Sequence, residues 1–167
     1  MKNDGRKFLI DANVLITAHR SYYAFDLCPG FWSSIIEGFG AKRIFSTRRI
    51  ETELLAGSDI LADWIAKKLP AGFFLDDASA PVVAVYTPMM AWVAGRDFLP
   101  AAKAKFATDA DGWLIAAAKH GDYCLVTHET RQPGAKARVP MPNVGEEFGI
   151  SYCNTFEMLR ELECCYK

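Results

Sequence analysis

Phe8-Leu9-Ile10-Asp11-Ala12-Asn13-Val14-Leu15-Ile16-Thr17-Ala18-His19 is the stretch from which the architecture is read. Lys7 to Ile10 forms a short apolar run behind polar residues, the pattern of a strand buried on both faces. Asn13 is positioned to cap the apolar helical run Val14 to His19, so strand passes directly into helix. Asp11 falls at the junction, at the carboxyl end of the strand and beside a helix amino terminus. An acid there is either an ordinary helix-start residue or the first member of a site.

The same alternation continues outward. A helix is expected over Phe31 to Phe39, stopping near Gly40, then a strand at Arg43 to Ser46 and a helix from Thr47 to Ala56. Asp59 to Leu69 carries Ile60, Leu61, Trp64 and Ile65 at helical spacing, and Phe73-Phe74-Leu75 follows as a third strand. Pro81 to Val93 is β-branched at first, but Thr87-Pro88 marks a helix start, and helix is the preferred reading for the whole run. Asp111 to His120 is an Ala-rich helix with Thr108 as its cap and Gly121 in the C′ position. Tyr123 to Val126 is the fourth strand, Thr127 to Asn143 a loop, Val144 to Phe148 a short helix and Ile150 to Tyr152 the last strand. Thr155 then caps a helix over Phe156 to Leu162.

Strands and helices alternating at this spacing imply right-handed crossovers and a mainly parallel sheet covered on both faces. Ligands of such sheets sit outside the carboxyl ends of the strands. Acidic residues collect where that rule points. Asp11 follows the first strand, Glu51 and Glu53 lie one turn into the helix after the second, Asp111 opens the Ala-rich helix, and Glu129 follows the fourth strand. Helical geometry alone does not choose between Glu51 and Glu53. Asp111 shares a stripe with Leu114, Ile115 and Ala118, and a carboxylate on a core-facing stripe needs a partner. The partner is either the helix dipole or a metal. Four acids on one rim raise one another's pKa unless cations neutralise them. Oxygen donors favour Mg2+ or Mn2+, and three histidines are too sparse for zinc.

The 167 residues suit one domain over 1–167, with an ordered core of about 6–163. Apolar residues at 51% and charged residues at 23% give an ordinary globular balance. Five cysteines without a repeated Cys-x-x-Cys spacing argue against a disulfide scaffold or zinc site and read as reduced, mostly buried residues. No apolar run reaches the ~18 residues of a membrane span. Met1 to Lys7 lacks a signal-peptide core, so the expected location is the cytoplasm. A net charge of −1 offers no bulk attraction to a polyanion, so nucleic-acid binding rests on local patches. One contains Lys42, Arg43, Arg48 and Arg49; the other is the loop with Arg131, Lys136 and Arg138, which carries no acid between its ends.

At these residues the chain resembles the PIN-domain nuclease superfamily, and closely a bacterial branch with a Tyr-Tyr-x-Phe-Asp-x-Cys-Pro-Gly-Phe-Trp segment, here Tyr22 to Trp32. Asp11-Ala12-Asn13-Val14-Leu15 is similar to the opening motif, Glu53-Leu54 to the middle one, and Ala110-Asp111 through Ala118 to the third. The last, Val-Thr-x-Asp, stands here as Val126-Thr127-His128-Glu129, which keeps the charge and moves it out by one methylene. The resemblance implies a Rossmann-like three-layer α/β sandwich with strand order 3-2-1-4-5. It also implies Asp11, Glu53, Asp111 and Glu129 as ligands of Mg2+ or Mn2+, with Asn13 and Thr127 as polar helpers. The implied activity is hydrolysis of RNA, gripped by Arg48, Arg49, Arg131, Lys136 and Arg138. The implied partners are a second copy of the chain and, as in many bacterial toxin-antitoxin pairs, a cognate antitoxin protein. A housekeeping nuclease or a non-catalytic module on the same fold are the competing expectations.

Overall fold

The computed structural model describes residues 5–166. Its elements run β1 (Phe8–Ile10), α1 (Ala12–Thr17), a π-helical turn (Ala18–Tyr22), α2 (Pro29–Gly40), β2 (Ile44–Thr47), α3 (Arg48–Ala56), α4 (Ile60–Lys68) and β3 (Phe74–Leu75). There follow α5 (Ala80–Ala94), α6 (Pro100–Thr108), α7 (Asp111–Gly121), β4 (Cys124–Val126), α8 (Met141–Glu147), β5 (Tyr152–Cys153) and α9 (Thr155–Glu161). The five strands order as β3-β2-β1-β4-β5, the order the resemblance implies. Every pairing is parallel.

β1 is the axis of the molecule. Phe8 pairs with Ile44 on one side and Cys124 on the other, and Ile10 with Val126. Successive strand side chains point to opposite faces. Phe8, Leu9 and Ile10 are nevertheless all fully buried, so helices cover both faces. A parallel register also puts the carboxyl ends of β1, β2 and β4 on one edge. Asp11, Arg48 and Thr127 leave the sheet there. Ser46 ties that edge together by donating from its hydroxyl to the Ile10 carbonyl at 2.8 Å.

Several expected boundaries move, each for a local reason. Asp11 rather than Asn13 takes the extended position before α1, and Asn13 is an exposed residue of its first turn. Asn154, not Thr155, caps α9, where its side chain accepts from Glu157 N–H and Glu157 accepts from Asn154 N–H, a reciprocal box. Thr155 is buried instead, within 2.9 Å of His128 Nε2. The left-handed residue after α7 is Asp122, at φ 55°, rather than Gly121. Gly121 is the last residue of the helix, where a Cβ would come within 2.1 Å of the Tyr123 ring.

α5 begins at Ala80, well before Thr87-Pro88, and contains Pro88. Pro88 cannot donate to the Ala84 carbonyl, but both residues are exposed and water can serve in its place. α6 was not expected at all. Only Ala102 and Phe106 of its nine residues are buried, too narrow a stripe to read as amphipathic. Thr108 bonds back to carbonyls of α6 rather than capping α7. α8 starts at Met141, inside the expected loop.

The Tyr22 to Trp32 segment packs mostly on itself and the core. Tyr23 stacks on Phe31 at 4.6 Å and Phe25 on Trp32 at 4.1 Å, while Trp32 Nε1 donates to the Tyr23 carbonyl at 2.7 Å. All five cysteines are free thiols; Cys124 and Cys153 are buried, Cys28 and Cys164 half-buried and Cys165 exposed. Among the described residues no helix is long and apolar enough to cross a membrane.

Candidate active site

Asp11 is drawn under the sheet edge by β1 and is 3% exposed. Its backbone is paired, with N–H donating to the Val126 carbonyl at 3.0 Å and C=O accepting from Val14 N–H at 3.1 Å. Its carboxylate makes no capping bond to the turn above it; Asn13 Nδ2 approaches Oδ2 at 3.5 Å. Burial pushes the Asp11 carboxyl from 3.8 up to about 7. The charge of Asp111 adds to this, and those of Glu53 and Glu129 add less, against a lowering by Ala12 N–H. Asp111, in the first turn of α7, is pushed to about 6 by burial and by Glu129, Asp109 and Glu53, with Lys105 opposing. Glu53 is raised by burial and by the charge of Asp109, again against Lys105.

Glu53, Asp109, Asp111 and Glu129 line one cleft of about 780 Å3, and Asp11 lies near enough to feel the charges of three of them. Its wall includes Asn13, Arg49, Glu53, Lys105, Asp109, Asp111, Glu129 and Arg138; Asp11 and Thr127 are buried and do not line it. Glu51 lies outside the lining and pairs with Arg48 at 2.8 Å. Glu53 is thus turned to the cleft and Glu51 to its own helix surface.

Glu129 already has partners for both oxygens. Arg138 pairs with Oε1, and Met141 N–H donates to Oε2 at 2.7 Å. The Thr127 hydroxyl accepts from Glu129 N–H at 3.1 Å and so fixes the turn that presents it. The longer Glu arm thus reaches across to the loop ahead of α8. Asp109 is likewise paired with Lys105. Among the described residues no three His, Cys, Asp or Glu side chains converge tightly enough to enclose an ion as they lie. The donor set is nonetheless all oxygen, the chemistry of Mg2+ or Mn2+. A carboxyl raised by burial and by like charges is one whose ionised form a divalent cation would stabilise.

The basic residues divide. Arg49 and Arg138 line the acidic cleft, whereas Arg131 and Lys136 line a second one of about 640 Å3. Arg131 pairs with Glu146 and Lys136 with Asp97 at 2.6 Å. Arg131, Lys136 and Arg138 therefore each pair with a carboxylate, Arg138 with Glu129 of the same loop and the other two with acids of other segments. Sequence reasoning missed Lys105, which faces the acids from the unexpected α6, and Asp77, a buried acid that fastens Arg49. The Ala/Lys-rich run after Leu99-Pro100 was the available signal for Lys105; Asp77 had none.

The parallel order 3-2-1-4-5 with acids at its carboxyl edge defines a PIN-like α/β fold. The same fold is seen in FitAcB from Neisseria gonorrhoeae, with a TM-score of 0.57 and 17% identity over 89% of this chain and 98% of that one. It is also seen in VapBC2 from Rickettsia felis bound to a DNA fragment from their promoter, with a TM-score of 0.53 and 12% identity over 88% and 97%. No curated protein matches the sequence. The chain belongs to the family described as a domain of unknown function, DUF4411, whose model spans residues 8–166.

Proposed function

We propose that the chain is a divalent-metal-dependent ribonuclease and the toxin of a bacterial toxin-antitoxin pair. The observation that carries the reading is Asp11, a carboxyl 3% exposed at the carboxyl edge of the central strand and held near 7 by burial and by Asp111. Burying an acid beside other acids opposes folding and becomes favourable once a cation faces it. Asp11, Glu53 and Asp111 would hold Mg2+ or Mn2+, with Glu129 adding negative charge beside them. When bound, such an ion supplies charge for the phosphate and makes a water nucleophilic at neutral pH.

The chain's own groups do the rest. Asp11 and Asp111 give up their protons on binding, so binding strengthens as pH rises through about 6 to 7. Asn13, exposed above Asp11, orients a phosphate oxygen or a water. Thr127 positions Glu129 through its backbone. Arg49 and Lys105 offer cations to the RNA backbone from the cleft wall, with Arg138 beside them; phosphate contacts of this kind position a strand without reading its sequence. Arg48, Arg131 and Lys136 do not line this cleft and contribute weakly.

The toxin role draws on the motif resemblance and on the likeness to FitAcB and VapBC2. An adjacent reading frame for a small DNA-binding protein would support it, and a second copy of the chain completes the assembly proposed. The pairs Arg138–Glu129 and Lys105–Asp109 favour one opposed reading, a binding module whose acids are satisfied internally. Calorimetric titration of the metal-free protein with Mn2+ separates the two. The nuclease reading expects a saturable site lost in Asp11→Asn, and the absence of specific heat in the wild type would overturn it.

A further inference from the structure

Tyr86, Trp113 and Arg49 pack on one another beside the acidic cleft, and Arg49 lines it. The Tyr86 and Trp113 rings lie 3.7 Å apart between centroids with only 10° between their planes. The Arg49 guanidinium carbon sits 4.3 Å from the Trp113 centroid. At these separations Tyr86 and Arg49 cannot share one face of the ring, so Trp113 is sandwiched between them. Gly112 permits the close packing, because a Cβ there would meet Tyr86 Cε2 at 3.1 Å.

Arg49 is also pinned from the side. Its backbone N–H donates to Asp77 Oδ2 at 3.2 Å, and its Nε lies 3.7 Å from Asp77 Oδ1. Asp77 is itself 2% exposed and has no freedom to follow a moving partner. The Arg49 side chain remains 43% exposed and lines the cleft with Glu53 and Asp111. A cation that only neutralises phosphate has no need of a fixed plane. Here the guanidinium is held between the Trp113 ring and a buried carboxylate, while part of the side chain stays exposed to the cleft.

Resting on the ribonuclease reading above, we propose that the Trp113-backed Arg49 guanidinium is a stacking platform for an unpaired nucleobase beside the cleaved phosphate. Bases splayed from a single strand stack on aromatic rings and guanidinium planes. A base inside a duplex has both faces already covered and cannot reach the platform.

The test measures binding of the full chain in EDTA by fluorescence anisotropy, with probe integrity checked on a gel. The probes are a labelled single-stranded pyrimidine RNA, the same strand with abasic positions, and a closed hairpin stem. Wild type is expected to bind the intact single strand best and to lose roughly fivefold on the abasic strand. Arg49→Lys keeps the charge but not the plane. It should bind the intact strand roughly fivefold more weakly, no longer distinguish the abasic strand, and keep the wild-type salt dependence. An Arg49→Lys protein with wild-type affinity and wild-type discrimination overturns the platform. If that protein still cleaves RNA with Mn2+, the nuclease reading stands without it. A wild type that neither binds nor cleaves any of the RNAs overturns both.

Discussion

Asp11→Asn should stabilise the metal-free protein at pH 8. Burial and the neighbouring acids raise the folded-state pKa of Asp11 from 3.8 to about 7. The folded state therefore holds this proton over a range in which the unfolded chain has lost it. The stability contributed by protonated Asp11 is complete below about pH 4 and is lost as pH rises through about 7. At about 1.4 kcal/mol per pH unit, ionising Asp11 in the fold costs at most about 4 kcal/mol. Asn removes that cost but weakens the bond from Ala12 N–H, a loss of about 1 kcal/mol. A net gain of about 2 to 3 kcal/mol remains at pH 8, or roughly 5 to 10 °C in Tm for a chain of this size, and it should vanish near pH 4. The assay is thermal and urea unfolding of wild type and Asp11→Asn in EDTA across pH 4 to 8. A mutant no more stable than wild type at pH 8, with the same pH slope, would refute the reasoning.

Glu53→Gln should abolish most of the Tm increase that Mn2+ gives the wild type, whereas Glu51→Gln should preserve it, since Glu51 only pairs with Arg48 on the surface; thermal scans with and without Mn2+ check this. Glu129→Gln should loosen the segment from Arg131 to Pro140 by weakening its hold on Arg138 and on Met141 N–H. Faster limited proteolysis there at an unchanged far-UV spectrum is the expected readout. Gly112→Ala should cost about 1 to 3 kcal/mol despite the better helix propensity, because its Cβ would press on Tyr86 at 3.1 Å and Phe106 at 3.2 Å; urea unfolding measures it.

The sheet was legible because its strands are apolar runs closed by polar residues; the same rule drew attention to Asp11, Asp111, Glu129 and the pair Glu51 and Glu53, between which only the motif resemblance chose. The motif resemblance supplied the strand order, which periodicity alone does not. What stayed hidden was long-range. Pairing of Glu129 with Arg138 and Met141 depends on where the loop ahead of α8 returns, and pairing of Lys136 with Asp97 on where α6 begins. Local charge counting therefore read the 131–138 loop as three unpaired cations, whereas the fold sets a carboxylate beside each. α6 was invisible for a related reason. Two buried residues in nine give no period, and its packing comes from α5 and α7 rather than from its own sequence. The cap position moved by two residues at Asp11-Ala12-Asn13 and by one at Asn154-Thr155, because each stretch offers two capping types close together.

The most direct test of the central claim is Mn2+-dependent cleavage of mixed single-stranded and hairpin RNAs by purified wild type and by Asp11→Asn, both verified as folded by their unfolding transitions. The wild type should cut only when the metal is present, and the mutant, folded and at pH 8 more stable without metal, should not cut. Retained cleavage by a cleanly purified, folded Asp11→Asn protein would contradict the account and move the reaction away from this rim.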